Sequence, residues 1–159
     1  IARLAQISSE KNKKAEVLIR VTAGVEAHTH EFVATAHEDQ KFGFSLAAGD
    51  ADEAVRRVIK DENLNFKGLH SHIGSQIFEN KAFEIAAQRL TELSVRIFKE
   101  HNVRVEMLNL GGGMGIAYIN SDSPLEIESM AKELVEIVYK NFINSSLKNK
   151  YSVISFPFF

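Results

Sequence analysis

The sequence predicts an α/β fold in which parallel strands are joined by crossover helices. Two observations carry that expectation. Short apolar, β-branched runs recur at 17–21 ("VLIRV"), 66–71, 104–110 and 151–154, and stretches with helical spacing lie between them. Regular alternation of this kind implies parallel strands, either in a doubly wound sheet or in a (β/α)8 barrel, and alternation does not separate the two.

The elements follow in order. The charge run "EKNKK" (10–14) reads as a solvated turn before the first strand, which ends near Arg20. Residues Thr22 to Leu46 are too polar, and too rich in His, Thr and Glu, for a core helix. A loop of that length in an α/β protein is usually functional or an interface. Within it, "KFGFS" (41–45) combines a cation, a glycine turn and two aromatics, and reads as a loop on the barrel mouth or at a subunit interface. A shorter helix is expected near 51–60, with Asp50 as cap and Glu53 three residues on. After the strand at 66–71, Phe83, Ala87, Leu90, Ser94 and Ile97 share one helical face. After the strand at 104–110, Ile127, Met130, Leu134, Ile137 and Val138 do the same. That last helix has a start signal in "SPLE", where Ser123 can cap, Pro124 occupies the first helical position and Glu126 can reach back.

At 159 residues, 45% hydrophobic and 25% charged, the chain can bury one core and reads as one domain at most. A formal charge of −2 gives no support for a nucleic-acid or membrane surface. The chain has no cysteine, hence no disulfide, thiolate zinc site or cysteine nucleophile within it, which fits a reducing compartment. No apolar run approaches the roughly 18 residues of a membrane span, and no signal-peptide pattern opens the chain. A cytoplasmic location is expected.

Two motifs carry chemistry. In "GLHSHIGSQ" (68–76), His70 and His72 are two apart on a strand and project together, while Leu69, Ser71 and Ile73 face the other way. They could be half-buried histidines bonded to backbone, a metal pair or part of a cofactor pocket. A metal needs further ligands, and His28, His30 and His37 all lie on one loop. Gly74 and Ser75 suit a different partner, since they permit close backbone approach and offer a hydroxyl to an anion. The second motif is "LNLGGGMG", with Gly111, Gly112, Gly113 and Gly115 after the next strand. Consecutive glycines at a strand end leave backbone N–H groups free to cradle a phosphate. Neither the dinucleotide fingerprint nor a nucleoside-triphosphate loop matches. Adjacent strand ends in a parallel barrel converge, so the two loops are expected to serve one phosphate.

The strand plus "HIGSQ", the strand plus "LNLGGGMGI" and the earlier "KFGFS" together resemble the fold-type III pyridoxal-phosphate decarboxylases, over about residues 17 to 145. The resemblance implies an alanine-racemase-like (β/α)8 barrel followed by a β-domain, with residues 1–159 a single partial barrel domain from the middle of that barrel. It implies pyridoxal 5'-phosphate as cofactor, a small amino-acid substrate that loses CO2, and a homodimer. By the same similarity His72 would lie flat against the pyridine ring and Ser75 would bond the phosphate. Gly111, Gly112 and Gly113 would offer it N–H groups, Gly112 foremost, and Arg20 would lie near the phenolic oxygen. Lys41 and Phe42 match a family loop close to the dimer interface. Rival readings are a family member acting on ornithine or arginine, a catalytically silent homologue, and a zinc-dependent amidohydrolase using the His-x-His.

The departures concern the ends. The family's cofactor-bearing lysine lies upstream of these residues and its catalytic cysteine downstream in the β-domain. Where the family has Glu-Pro-Gly-Arg after a strand, this chain reads "YSVISFPFF": Phe156 stands for the glutamate, Phe158 and Phe159 for the glycine and arginine, and only Pro157 matches. An open half-barrel would expose sheet edges and apolar faces, so residues 1–159 alone are expected to be unstable or inactive.

Overall fold

The computed structural model describes residues 1–25, 42–115 and 126–144, with backbone alone at 141–144. The expected strand at 151–154, the "SPLE" cap, Lys41, His28, His30, His37 and the "FPFF" tail lie outside the described residues. The chain runs α1 (Ala2–Glu10), β1 (Ala15–Thr22), β2 (Phe44–Ser45), α2 (Asp50–Lys60), β3 (Leu64–His70), α3 (Asn80–His101), β4 (Met107–Asn109), α4 (Ile127–Asn144).

All strand pairs are parallel, and the spatial order is β2-β1-β3-β4. Apart from the two-residue β2, neighbours in space are neighbours in sequence, as in a singly wound barrel; a doubly wound sheet reverses its order at the centre. The apolar residues lie on one face of this sheet. Ile19 and Val21 of β1, Leu69 of β3 and Leu108 of β4 are buried beneath Val55 and Val58 of α2 and Phe83, Leu90 and Leu93 of α3. Met130, Leu134 and Val138 bring α4 into the same core, as their spacing predicts, whereas Ile127 at the helix start is exposed.

The alternation along β3 is not continuous. Val17 of β1 pairs with Phe66 and Leu18 with Gly68, so Lys67 has no counterpart on β1. This extra residue is a β-bulge, and it switches which parity faces the helices. Before it, Leu64 and Phe66 are buried; after it, Leu69 and Ser71 are. The Lys67 side chain is anchored on both sides, 2.8 Å from Glu106 and 3.7 Å from Glu16. The next residue, Gly68, lies against β4 so closely that a Cβ there would sit 1.9 Å from the carbonyl oxygen of Met107.

Other local details differ from the sequence expectation. Gly49, not Asp50, is the N-cap of α2; with φ 81° it turns the chain so that Asp50 is already helical, and Glu53 N–H donates to the Gly49 carbonyl. Asp50 therefore contributes negative charge to the first turn, where the helix dipole favours it, and caps nothing. "KFGFS" is not purely loop, because Phe44 and Ser45 pair with Val21 and Thr22. The strand expected at 104–110 shrinks to Met107–Asn109. Residues 10–14 are exposed, as expected of a solvated turn. The helices are tied to one another by charge: Asp52 of α2 accepts from Arg96 of α3 at 2.7 and 3.0 Å. Within α2, hydrogen bonds from Arg56 and then Arg57 lower the Glu53 carboxyl from 4.5 to about 2.

Candidate functional site

The face of the sheet turned away from the helices is polar where the apolar face is not. Arg20, His70 and Asn109 are in register across β1, β3 and β4, forming one row just below the C-terminal strand ends. That end is where parallel α/β folds place their sites. The guanidinium of Arg20 lies over the Phe42 ring, 5.3 Å from its centroid, and Thr22 Oγ1 donates to the Phe42 carbonyl. Phe42 is thereby fixed beside the row. From the helix side, Arg89 of α3 donates to the carbonyls of Ala23 and Gly24, holding the end of β1. Burial, and then the nearby Arg20 and His72, lower the pKa of His70 from the ordinary 6.5, which favours its neutral imidazole.

Beyond the strand ends, the chain segments after β3 and β4 run side by side. Ser71 N–H donates to the Asn109 carbonyl at 2.8 Å, Ile77 N–H to the Gly113 carbonyl at 2.9 Å, and Gly115 N–H to the Ile77 carbonyl at 2.8 Å. Ile77 and Met114 form a parallel bridge, extending the ladder past the named strands. The contact is close enough to demand glycine. A Cβ at Gly111 would lie 2.5 Å from the Ser71 carbonyl oxygen and 3.2 Å from Nδ1 of His72; one at Gly113 would lie 1.9 Å from the Gly74 carbonyl oxygen. Both have left-handed backbone, φ 76° and 97°.

His72, Ser75 and the Gly111–Gly113 run thus meet in one place, with His72 and Ser75 exposed beside the glycines. Arg20 is on the same side of the sheet but a strand further off, at the other end of the polar row. Gly111 N–H donates to Oδ1 of Asn109 at 2.8 Å. The N–H groups of Gly112 and Gly113 have no acceptor among the described residues. Unclaimed N–H groups in a cradle without side chains suit an anionic group such as a phosphate monoester. Among the described residues no three His, Cys, Asp or Glu side chains converge as a metal site would need.

Sequence reasoning missed two residues here. Asn109 carried a usable signal: it ends the strand directly before the glycine run, and its parity opposes that of buried Leu108. Arg89 carried none, since its partners lie more than sixty positions away and only folding brings them together.

Fold and cradle together define a class: a segment of parallel barrel whose strand ends are suited to an anionic group. The profile of the family described as "Pyridoxal-dependent decarboxylase, pyridoxal binding domain" matches residues 1–155. Among curated proteins, the chain is 50% identical over 137 residues to the diaminopimelate decarboxylase of Corynebacterium efficiens, covering 86% of this chain and 30% of that one. It is 51% identical over 142 residues to that of Mycobacterium leprae, covering 87% and 30%. Among solved structures, diaminopimelate decarboxylase from M. jannaschii in complex with L-lysine superposes with TM-score 0.78 at 25% identity, over 96% of this chain and 34% of that one. The chain belongs to the pyridoxal-dependent decarboxylase family, as part of its pyridoxal-binding barrel domain, and spans 30% of the length of those two curated relatives. The cofactor of this domain is pyridoxal phosphate.

Proposed function

We propose that the full-length protein is a diaminopimelate decarboxylase, removing CO2 from meso-2,6-diaminopimelate to leave L-lysine. The observation that carries the reading is the seam between the two glycine loops, where side chains are excluded and two backbone N–H groups have no acceptor among the described residues. Identity near one half to two diaminopimelate decarboxylases supports that substrate over ornithine or arginine.

When bound, pyridoxal phosphate supplies an electron-accepting pyridine ring that takes up the electron pair left behind as CO2 departs. The chain's own residues hold and orient it. The N–H groups of Gly112 and Gly113 and the Ser75 hydroxyl are assigned to the phosphate, whose charge they satisfy without a buried counter-ion. Gly111 contributes by lacking a side chain, since its N–H already has an acceptor. His72, next to Gly111, is assigned to the ring face, where a flat imidazole fixes the plane without needing to titrate. Arg20 is assigned to the phenolic oxygen, its guanidinium steadied by Phe42. Neutral His70 stands between Arg20 and Asn109 and adds no second positive charge to the row.

The remaining barrel strands, a second β-domain, the cofactor-bearing lysine and the catalytic cysteine belong to the rest of the full-length protein in this reading. The same reading assigns the protein to the cytoplasm as a homodimer with the Phe42 loop near the interface. Phe42 is 58% exposed although its ring packs on Arg20, which supports the interface, and no described helix is long and apolar enough to cross a membrane.

The test is made on the full-length protein. CO2 release from meso-diaminopimelate, and not from ornithine or arginine, is expected; the reverse preference would overturn the substrate assignment. His72→Ala should loosen the cofactor and slow turnover with the dimer intact. Unchanged affinity and unchanged rate would sink the role given to His72.

A further inference from the structure

We propose that Asn109 is the positioning residue that locks the two glycine loops together and so turns the N–H groups of Gly112 and Gly113 toward the phosphate. The proposal rests on the reading that these loops receive the cofactor's phosphate.

Asn109 works in two directions at once. Its main-chain carbonyl accepts Ser71 N–H at 2.8 Å, fixing the start of the histidine loop. Its side-chain Oδ1 accepts Gly111 N–H at 2.8 Å, fixing the start of the glycine run. One residue therefore sets the position of both loops at the point where they diverge from the sheet. The effect on Gly111 is selective. With that N–H satisfied and its φ held at 76°, the chain turns, and the next two N–H groups are left without an acceptor among the described residues. Reaching an N–H two residues ahead requires a short side chain ending in an acceptor, which Asn and Asp provide. Alanine has no acceptor, and glutamine carries its acceptor one methylene too far out. Asn109 does not touch the phosphate in this scheme, so its removal should weaken only what the loop geometry supplies.

Three variants of the full-length protein test this, with two probes: pyridoxal phosphate and pyridoxal, which lacks the phosphate. In Asn109→Ala, hydrogen exchange at the Gly111 amide should accelerate by about tenfold or more, and affinity for pyridoxal phosphate should fall by about tenfold, the scale of one lost hydrogen bond. Affinity for pyridoxal should hold within about twofold. Asn109→Gln should behave like the alanine variant although it keeps the amide, and Asn109→Asp should restore Gly111 protection. Unchanged Gly111 exchange in Asn109→Ala would overturn the proposal. So would equal weakening of both probes, which would mark a general loss of structure. If the unaltered protein binds the two probes equally, the phosphate reading fails; Gly111 exchange then still decides whether Asn109 holds the loop.

Discussion

The two faces of the sheet are built from the same strands yet follow opposite rules. Toward the helices stand Ile19, Leu69 and Leu108, all at most 2% exposed. On the opposite face, paired with one another in the same register, stand Arg20, His70 and Asn109. The difference teaches that the packed core and the polar row are separated here by side-chain parity alone. One strand residue is buried in the core and the next lies in the polar row, so neighbouring substitutions should fail in unlike ways.

Erasing the distinction altogether should have the largest effect. Inserting one alanine between Gly68 and Leu69, beyond the bulge, shifts the register by one, so Leu69 and Ser71 would turn toward the polar face and His70 toward the helices. Loss of a cooperative unfolding transition is expected, whereas Lys67→Ala, which sacrifices only exposed ion pairs with Glu106 and Glu16, should cost less than about 1 kcal/mol. Denaturant titration of both variants checks the contrast; equal effects would mean that register does not set the faces.

Sharpening the comparison takes one residue from each side. Leu69→Ala should lower unfolding free energy by about 3 kcal/mol through the cavity it leaves, with pyridoxal phosphate affinity of the folded protein unchanged. His72→Ala should do the converse, shifting unfolding by no more than about 0.5 kcal/mol while weakening the cofactor. A stability loss in the second variant as large as in the first would dissolve the separation.

The smallest expected effect is on pH dependence. Because the folded protein lowers the pKa of His70, the unfolded chain binds a proton more readily between that lowered value and 6.5. Stability conferred by the neutral imidazole is thus present above 6.5 and declines as pH falls through that window. His70→Gln should flatten the decline in unfolding midpoint, and an unaltered slope would argue that another group titrates there.

The sequence made much of this legible, and unevenly. The α3 face of Phe83, Ala87, Leu90, Ser94 and Ile97 is buried throughout, because five residues at helical spacing over four turns leave little ambiguity. The two glycine loops were likewise legible from composition and position. Helix α1 went unread, since it buries only Ala5 and Ser8 and presents Leu4 and Ile7 outward, which gives no core stripe. Strand β2 is two residues long and too short to show any period. The bulge was hidden for a different reason: a lysine between apolar neighbours is what ordinary alternation would place there. The hold of Asn109 on Gly111 depends on a side-chain bond that strand patterning does not encode, although the Asn-before-glycine spacing hints at it.

The bulge also has a bearing on inheritance. Strand β3 is written in two phases, with Lys67 as the mark between them: up to Phe66 the even positions are the greasy ones, and from Leu69 onward the odd ones are. A gene can change nearly any letter on either side of that mark by small steps, and losing the mark itself would leave Leu69 opposite Ile19 and still inside, but dropping or adding a letter between Leu69 and the glycine loop exchanges inside for outside from that point on. The spacing from Leu69 to the glycine loop is therefore a stricter constraint on descent than the residue that fills the bulge.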